Sequence, residues 1–264
     1  MIDNPRSPRV RAVAKLAKRS ARAEAGLFLA EGPQAVREAF AFHPATVVEF
    51  FATRSALERH GALAQAAADA GIGVEEVSDA VLGAMSDTVT PQGVLAVCRQ
   101  FPVSLAELMA SAPRLLAILE EVRDPGNAGT IIRAADAAGA DGVILTGRSV
   151  DAYNPKVVRS TTGSIFHVPV AQGIDLPAAV DAVRAAGLQV FAADIRGDEL
   201  TVIRDDLGAP TAWLFGNEAH GLTDESLALA DRGVRVPIYG KAESLNLATA
   251  ASVCLYESAF AQRT

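Results

Sequence analysis

The sequence has few of the features by which common protein classes are recognised. Its 264 residues include only two cysteines, Cys98 and Cys254, and each lies within an apolar run. This excludes a disulfide framework and a paired-cysteine metal site, and it is typical of a reduced cytoplasmic protein with buried thiols. No apolar run approaches the roughly 20 residues that span a membrane, and the N-terminus lacks the apolar stretch of a signal peptide. We therefore predict a soluble cytoplasmic protein with no membrane segment.

The short motifs of several enzyme classes are also absent. No G-x-G-x-x-G follows a predicted strand, and the P-loop, zinc-protease and serine-hydrolase patterns do not occur. The four histidines, which are His43, His60, His167 and His220, show no metal-ligand spacing. These absences argue against NAD-dependent, P-loop and metal-dependent enzymes, and we expect no metal ion.

Charge is distributed unevenly along the chain. The net charge is -7, yet residues 1–22 contain seven basic residues and only one acidic residue, Asp3. Such a segment suits binding to the phosphates of a nucleic acid, and the alternative is a disordered, solubilising tail. The basic residues of this arm that could bind phosphates are Arg9, Arg11, Lys15, Lys18, Arg19 and Arg22.

Strand-like and helix-like segments alternate in two blocks, which predicts an α/β protein of two domains. Residues 23–101 form a smaller first block, in which SALERHGALAQAAADAG is predicted to be one helix that ends at Gly71. Residues 102–113 hold two prolines and a short helix with capping-box spacing between Ser104 and Glu107, and we predict a linker there. From residue 114 to residue 264, strands apolar on both faces, such as RLLAILEEV and DGVILTG, alternate with helices. This pattern predicts a parallel sheet covered on both faces.

Polar residues gather at three strand-to-helix junctions of the second block, in DPGNAGTIIR, LFGNEAHGL and VPIYGKAESLNLA. Each has an ordinary structural explanation. Asn127 and Ser244 are residue types that cap helices, Arg133 could be a solvated helix residue, and Glu218 could be a surface or capping carboxylate. The residues alone leave these alternatives open.

In order and spacing, the three stretches resemble the motifs of the SpoU (TrmH-like) family of RNA ribose 2'-O-methyltransferases in the SPOUT superfamily. The resemblance covers residues 115 to about 260, and its central positions show no departure. In addition, FLAEGPQAVREA and DTVTPQGVLAV look like the substrate-binding domain, an L30e-like α/β fold, that precedes the catalytic domain in many members. The resemblance implies a parallel-sheet α/β domain with a trefoil knot, a homodimer with the catalytic cleft completed at the subunit interface, and bound S-adenosylmethionine.

The resemblance also implies roles for individual residues. The catalytic set is Asn127, Arg133, Glu218, Ser244 and Asn246. The cofactor set is Leu214, Gly216, Val236, Pro237, Ile238, Leu245 and Asn246. Glu31 and Arg133 join the basic arm as candidate RNA contacts, whereas His220 occupies a variable motif position and is read as an ordinary loop residue.

The implied reaction is methylation of a ribose 2'-hydroxyl, a group that RNA has and DNA lacks. We expect 23S ribosomal RNA as the substrate, with transfer RNA as the alternative and antibiotic resistance as a possible consequence. Arg133 is a poor proton acceptor because a guanidinium keeps its proton, so phosphate-assisted and Glu-assisted deprotonation both stay open. Two further hypotheses are a non-catalytic RNA-binding or ribosome-assembly protein with the same fold, and an unrelated Rossmann-like nucleotide enzyme.

Overall fold

The structure is a computed structural model that describes residues 1–263. The helices of this range, in chain order, are α1 (Pro8–Lys15), α2 (Arg19–Ala25), α3 (Pro33–Phe42), α4 (Arg54–Arg59), α5 (Gly61–Asp69), α6 (Asp79–Met85), α7 (Leu105–Ala110), α8 (Pro125–Ala138), α9 (Pro155–Thr161), α10 (Leu176–Ala185), α11 (Asp224–Ala228) and α12 (Leu247–Gln262). The strands are β1 (Leu27–Glu31), β2 (Val47–Ala52), β3 (Val74–Glu76), β4 (Val94–Arg99), β5 (Leu115–Glu120), β6 (Gly142–Thr146), β7 (Val170–Ile174), β8 (Gln189–Glu199), β9 (Thr211–Phe215) and β10 (Arg232–Arg235). Short 3-10 turns occur at Pro44–Thr46, Ser164–Phe166 and Arg204–Gly208.

The chain divides into two compact units. Unit 1 consists of residues 1–101 and 153–167, and unit 2 consists of residues 102–152 and 168–264. The sequence-based boundary differs at two places, since the segment predicted as a linker belongs to unit 2 and residues 153–167 belong to unit 1. In the first case, Leu108 of α7 lies in the hydrophobic core of unit 2. In the second, the hydroxyl of Tyr153 accepts a hydrogen bond from the Phe101 backbone N–H at 2.9 Å.

Unit 1 is a four-stranded sheet in the order β1-β4-β2-β3, with helices packed on it. Strand β4 is antiparallel to both of its neighbours, and β2 and β3 are parallel. The single helix predicted from residue 55 is two helices, α4 and α5, because the backbone at His60 leaves the helical region at φ -128° and ψ 45°.

The basic N-terminal segment is a folded part of unit 1. Ser7 caps α1 by accepting a hydrogen bond from the Val10 N–H at 3.3 Å. Val10, Val13 and Leu16 are buried in the same hydrophobic cluster as residues of β1 and β4. The spacing of three residues between these side chains gives the helix an apolar face. Neither a detached arm nor a disordered tail describes this segment.

Unit 2 is built on a six-stranded sheet in the order β10-β8-β9-β5-β6-β7. Every pair of neighbouring strands is parallel, so the parallel sheet predicted from the apolar strands is confirmed. Strands β5, β6 and β9 are almost wholly buried, as expected for strands with helices on both faces. Strand β7 of this unit and helix α9 of unit 1 were not anticipated from the sequence. The trefoil knot concerns the threading of the chain and stays a prediction.

Two further observations bear on the sequence-based expectations. Cys98 and Cys254 are buried free thiols, and burial raises the pKa of Cys98 to about 12. Among residues 1–263, no helix combines the length and the apolar character that crossing a membrane requires.

Candidate active site

The polar residues singled out in the sequence lie in the loops that follow β5, β9 and β10 or in the helix α8 that begins after the first of them. Strands β5 and β9 are direct neighbours in the sheet, with Leu119 paired to Phe215 at their ends. The carboxyl ends of parallel strands lie at one edge of a sheet, and ligands of open α/β folds bind there. The fold therefore brings together loops that are far apart in the sequence. Arg123 and Glu218, which are joined by a hydrogen bond, are 95 residues apart.

Glu218, in the loop after β9, holds the start of α8. Its carboxylate accepts hydrogen bonds from the backbone N–H groups of Arg123 and Asp124, at 3.2 and 3.0 Å, and from Asn127 Nδ2 at 3.4 Å. The helix cap itself is Asp124, whose side chain accepts from the Asn127 N–H at 2.7 Å. Neither capping alternative applies, because Asn127 lies inside α8 and Glu218 binds across to a different loop.

Asn246 connects the third motif to the first. Its Nδ2 donates to Asn127 Oδ1 at 2.9 Å, across 119 residues of sequence. Its Oδ1 accepts from the N–H groups of Ala248 and Thr249 at 2.9 and 3.2 Å, which makes Asn246 the N-cap of α12. The capping role considered for Ser244 thus belongs to Asn246. Glu218, Asn127 and Asn246 form one hydrogen-bonded network that joins all three motifs.

A second contact between the loops, which the sequence analysis missed, involves Asn217. Its Nδ2 donates to the backbone oxygen of Glu121 at 2.7 Å, its Oδ1 accepts from the Ala219 N–H at 2.9 Å, and the residue is only 9% exposed. Glu121 has a left-handed backbone with φ 53°. A hydrogen bond from the Arg123 side chain and one from the Arg148 N–H lower the pKa of Glu121 to about 2. A polar residue directly before Glu218 was the available sequence signal.

A cavity of about 640 Å³ opens beside this network within unit 2. Its walls come from residues in the ranges 193–196, 217–224 and 234–250. Five residues of the predicted catalytic and cofactor sets line it, namely Glu218, Val236, Ile238, Ser244 and Leu245. Its volume lies within the range of about 300 to 1,000 Å³ that is typical of small-molecule sites.

Other predicted residues lie apart from the cavity walls. Leu214 is fully buried in the core of unit 2, and Pro237 is half-buried just beyond β10. Gly216 is buried where its backbone approaches that of Gly221, and a Cβ at position 216 would lie 2.5 Å from the Gly221 carbonyl carbon. Glycine is required at position 216 because the backbone of Gly221 leaves no room for a side chain.

Arg133 lies outside the hydrogen-bonded network. It is six residues beyond Asn127 in α8, which is about 9 Å along the helix axis and on a different face. The side chain is exposed, and its guanidinium makes no hydrogen bond or ion pair to any other residue in the described part of the chain. Its donors are available to a ligand.

Charged side chains that the sequence analysis missed line one side of the cavity. Arg196 binds Asp194 and Asp224, each with a nitrogen-to-oxygen distance of 3.0 Å. Partial burial raises the pKa of Asp194, but hydrogen bonds from Arg196 outweigh this and the pKa lies below its ordinary value. The same two carboxylates raise the pKa of Arg196.

The cavity suits a small organic cofactor with both apolar and polar parts. Leu222, Val236 and Ile238 offer apolar surface, and Ser244 offers a hydroxyl. Among the residues that the structure describes, no cluster of histidine, cysteine or carboxylate side chains could hold a metal ion. The apolar and hydroxyl groups that line the cavity fit an organic molecule of the size and mixed polarity of a nucleoside derivative.

The RNA-binding candidates of unit 1 differ in exposure. Arg11, Lys15, Lys18 and Arg19 are exposed. Arg9 is paired with Glu49 at 2.6 Å and with Glu75 at 3.3 Å.

Two of the predicted RNA contacts are corrected by the structure. Arg22 is 1% exposed, and its Nη1 donates to the backbone oxygens of Leu16 and Ala17, both at 2.8 Å. Glu31 is 8% exposed, and its carboxylate binds Arg159 and two backbone N–H groups. Both side chains stabilise unit 1 from within, and burial leaves neither free to contact RNA.

Comparisons with known proteins identify the family of this chain. The model of the SpoU rRNA Methylase family matches residues 114–256, and that of the MRM3-like substrate binding domain matches residues 7–96. The chain is 34% identical to the 23S rRNA (guanosine(2553)-2'-O)-methyltransferase RlmP of Bacillus subtilis, over 97% of both proteins.

Solved structures show the same similarity. An AdoMet-bound rRNA methyltransferase from Sinorhizobium meliloti superposes with a TM-score of 0.83 at 31% identity, covering 97% of this chain and 96% of that one. The SpoU methyltransferase AviRb from Streptomyces viridochromogenes, in complex with AdoMet, gives a TM-score of 0.79 at 30% identity, covering 97% of this chain and 98% of that one. The family resemblance and the fold class inferred from the three motifs are confirmed, and this chain belongs to the SpoU rRNA methylase family.

Proposed function

We propose that this protein transfers a methyl group from S-adenosylmethionine to a ribose 2'-hydroxyl of 23S ribosomal RNA. The observation that carries the proposal is the hydrogen-bonded network of Glu218, Asn127 and Asn246 at the edge of the cavity. A relative similar over 97% of its length is named as a 23S rRNA 2'-O-methyltransferase, and a similar structure contains AdoMet. The order of the three motifs and the cavity beside them support the same activity here.

The cavity supplies a binding site for S-adenosylmethionine. Val236, Ile238 and Leu245 would hold the cofactor against apolar surface, and Ser244 faces the same space with a hydroxyl. The sulfonium of this cofactor activates its methyl group for transfer to an oxygen nucleophile. The protein therefore has to align the 2'-hydroxyl and assist the loss of its proton.

The network positions the groups around the reaction site. Asn127 is fixed by two partners, since Nδ2 donates to Glu218 and Oδ1 accepts from Asn246. This sets the orientation of the amide and ties the first turn of α8 to the loops after β9 and β10. We assign Glu218 and Asn127 to positioning, and Ser244 to contact with the substrate ribose.

Arg133 suits the binding of an RNA phosphate. A guanidinium can donate two parallel hydrogen bonds to a phosphate, and Arg133 has no competing partner in the described chain. The Glu218 carboxylate already accepts three N–H hydrogen bonds. A phosphate oxygen held by Arg133, rather than the Glu218 carboxylate, is therefore favoured as the group that assists deprotonation of the 2'-hydroxyl.

A homodimer and a cytoplasmic location belong to the same proposal. Helix α12 buries one face against the rest of unit 2, whereas Tyr256 and Phe260 are 37% and 63% exposed and their rings lie 5.6 Å apart. An exposed aromatic pair of this kind suits contact with a second copy of the chain. A second copy could complete the site with Arg133.

Arg11, Lys15, Lys18 and Arg19 offer positive charge to RNA phosphates.

The experiment is transfer of a labelled methyl group to unmodified 23S rRNA and to transfer RNA, followed by alkaline digestion. Label in an alkali-resistant dinucleotide from 23S rRNA is expected. Label only in transfer RNA would reassign the substrate, and binding of RNA with neither cofactor binding nor transfer would establish a non-catalytic protein.

Arg133→Lys sharpens this test because it keeps the charge and loses the planar fork. We expect transfer to fall about tenfold, while calorimetry shows unchanged affinity for S-adenosylmethionine. Arg99→Lys is the matched control, because Arg99 is exposed at the end of β4 and its side chain has no partner among the described residues. Equal rates for the two variants would remove Arg133 from the site.

A further inference from the structure

Unit 1 contains a cavity of its own, to which no role has been assigned. It has a volume of about 270 Å³, just below the range of about 300 to 1,000 Å³ that is typical of pockets for drug-sized ligands. Its walls come from the start of α3, the loop between α6 and β4, and the residues Arg159 and Thr162. A space of this size suits a single small ring system.

The loop between α6 and β4 is held in place at both ends. At its start, Glu31 accepts hydrogen bonds from the N–H groups of Asp87 and Thr88, both at 3.2 Å. At its end, the Gly93 oxygen accepts from the Thr53 N–H at 2.8 Å. Gly93 has φ 88°, and a Cβ there would lie 2.5 Å from the Ala56 side chain, so this position requires glycine. The cavity wall is therefore preformed.

The charges around the cavity argue against a phosphate as its occupant. Arg159 is the only basic side chain among the described residues that line it. Its guanidinium is already paired with Glu31 at 3.1 Å and with Asp87 at 2.8 Å. Two carboxylates beside one cation leave no positive charge to attract an anion, so an uncharged polar ligand is favoured.

Several polar groups on the walls are available to such a ligand. The side chains of Thr88, Thr90 and Gln92 make no hydrogen bond to any other residue that the structure describes. Val89, between the two threonines, is 95% exposed and offers apolar surface at the loop tip. Hydroxyl and amide groups can each donate and accept, which matches the mixed edge of a nucleobase.

We propose that this cavity binds one unpaired nucleobase of the substrate RNA and so contributes to the choice of the RNA site. The proposal rests on RNA being the substrate, as proposed above. Sequence-specific recognition of RNA is usually directed at unstacked bases of loops and bulges, which are hydrogen-bonded along their edges. Thr88, Thr90 and Gln92 would hydrogen-bond the edge of the base, and Glu31 and Arg159 act as positioning residues that hold the wall.

The test uses two variants of the full-length protein, each with a matched control. Thr90→Trp fills the cavity, and Thr201→Trp places the same side chain at an exposed position of unit 2. Gln92→Leu removes the free amide, and Gln65→Leu makes the same substitution on the exposed surface of α5, where the amide binds Asp69 at 2.8 Å. Each protein is bound to an unmodified 23S rRNA transcript and its footprint is mapped with dimethyl sulfate, which modifies unpaired adenine and cytosine, and with a carbodiimide for uracil and guanine.

We expect wild-type protein and both controls to protect at least one unpaired base that Thr90→Trp leaves reactive. The affinity of both cavity variants for the transcript should fall about tenfold, as expected when one base contact is lost. The slope of affinity against salt concentration should not change, because no phosphate contact is removed. In methyl-transfer assays, KM for RNA should rise while kcat at saturating RNA stays within about twofold of wild type.

Different outcomes separate the two proposals. Methyl transfer by wild-type protein together with identical footprints and affinities for the cavity variants and their controls would overturn the nucleobase site and leave the methyltransferase intact. A protection that depends on the cavity, without methyl transfer under any condition, would overturn the enzymatic function and leave the site standing. A reduced salt slope in Gln92→Leu would show a phosphate contact and also overturn the proposal.

Discussion

The side-chain amide of Asn246 donates to the side-chain oxygen of Asn127 at 2.9 Å, although 119 residues separate them in the chain. The side-chain oxygen of Asn246 caps α12, so one side chain both begins α12 and orients Asn127 of α8. This explains why a small polar residue precedes an otherwise apolar helix. A change at Asn246 should therefore affect the stability of the fold and the geometry of the site separately.

Two substitutions of Asn246 distinguish these roles. Asn246→Asp keeps an oxygen that can cap α12 but loses the N–H that binds Asn127, so stability should be nearly unchanged while single-turnover methyl transfer falls about tenfold to a hundredfold. Asn246→Ala loses both contacts and should also destabilise the protein by about 1 kcal/mol in urea unfolding. An Asn246→Asp protein with wild-type turnover would show that the amide contact has no part in positioning.

Glu218→Gln tests the connection between the loop after β9 and the start of α8. An amide cannot accept the three N–H hydrogen bonds that the carboxylate accepts, so we expect a loss of about 1 kcal/mol of stability and faster hydrogen exchange at the amides of Arg123 and Asp124. Glu225→Gln, on the exposed face of α11, is the control and should change stability by less than about 0.5 kcal/mol. Unchanged exchange at both amides in Glu218→Gln would contradict the network.

The larger features of the fold could be predicted because they depend on local patterns. Apolar runs such as Leu115–Glu120 identify buried parallel strands, and Gly139, with φ 67°, ends α8 where the sequence indicated. Strand β7 and helix α9 were missed because β7 contains Gln172 and Gly173 and α9 is a seven-residue helix with four polar residues, so neither periodicity stands out.

The site could be predicted only as a set of residues. The motifs identified Asn127, Glu218 and Asn246, but which of them cap helices depends on where the loops meet. The residue type of Ser244 suggested a helix cap, whereas the folded chain gives that role to Asn246. The burial of Glu31 depends on contacts with other segments, such as Arg159, which is 128 residues away and leaves no local signal.

Glu121 should make the stability of the protein depend on pH in the acid range. Hydrogen bonds from Arg123 and from the Arg148 N–H lower its pKa from 4.5 to about 2 in the folded protein. A carboxyl with a lowered folded pKa stabilises the protein fully above its unfolded pKa, and this stabilisation is lost as the pH falls from about 4.5 to about 2. The difference in unfolding free energy between wild type and Glu121→Gln, measured in urea, should therefore shrink across this window. A constant difference from pH 5 to pH 2, equal to that of the Glu225→Gln control, would show that these hydrogen bonds do not affect stability.

Phe260 should be part of the interface of the proposed dimer. It is 63% exposed next to Tyr256 on α12, and large aromatic residues often contribute about 2 kcal/mol or more to an interface. Phe260→Asp places a charge there and should shift the mass in sedimentation equilibrium from twice 27.4 kDa to 27.4 kDa. Val202→Asp changes a residue that is 74% exposed elsewhere in unit 2 and should leave the dimer intact. Because a second subunit is proposed to complete the cleft, methyl transfer should fall with the dimer fraction in Phe260→Asp and recover at high protein concentration. A monomeric wild-type protein, or a Phe260→Asp variant that sediments as a dimer, would place the interface elsewhere or exclude it.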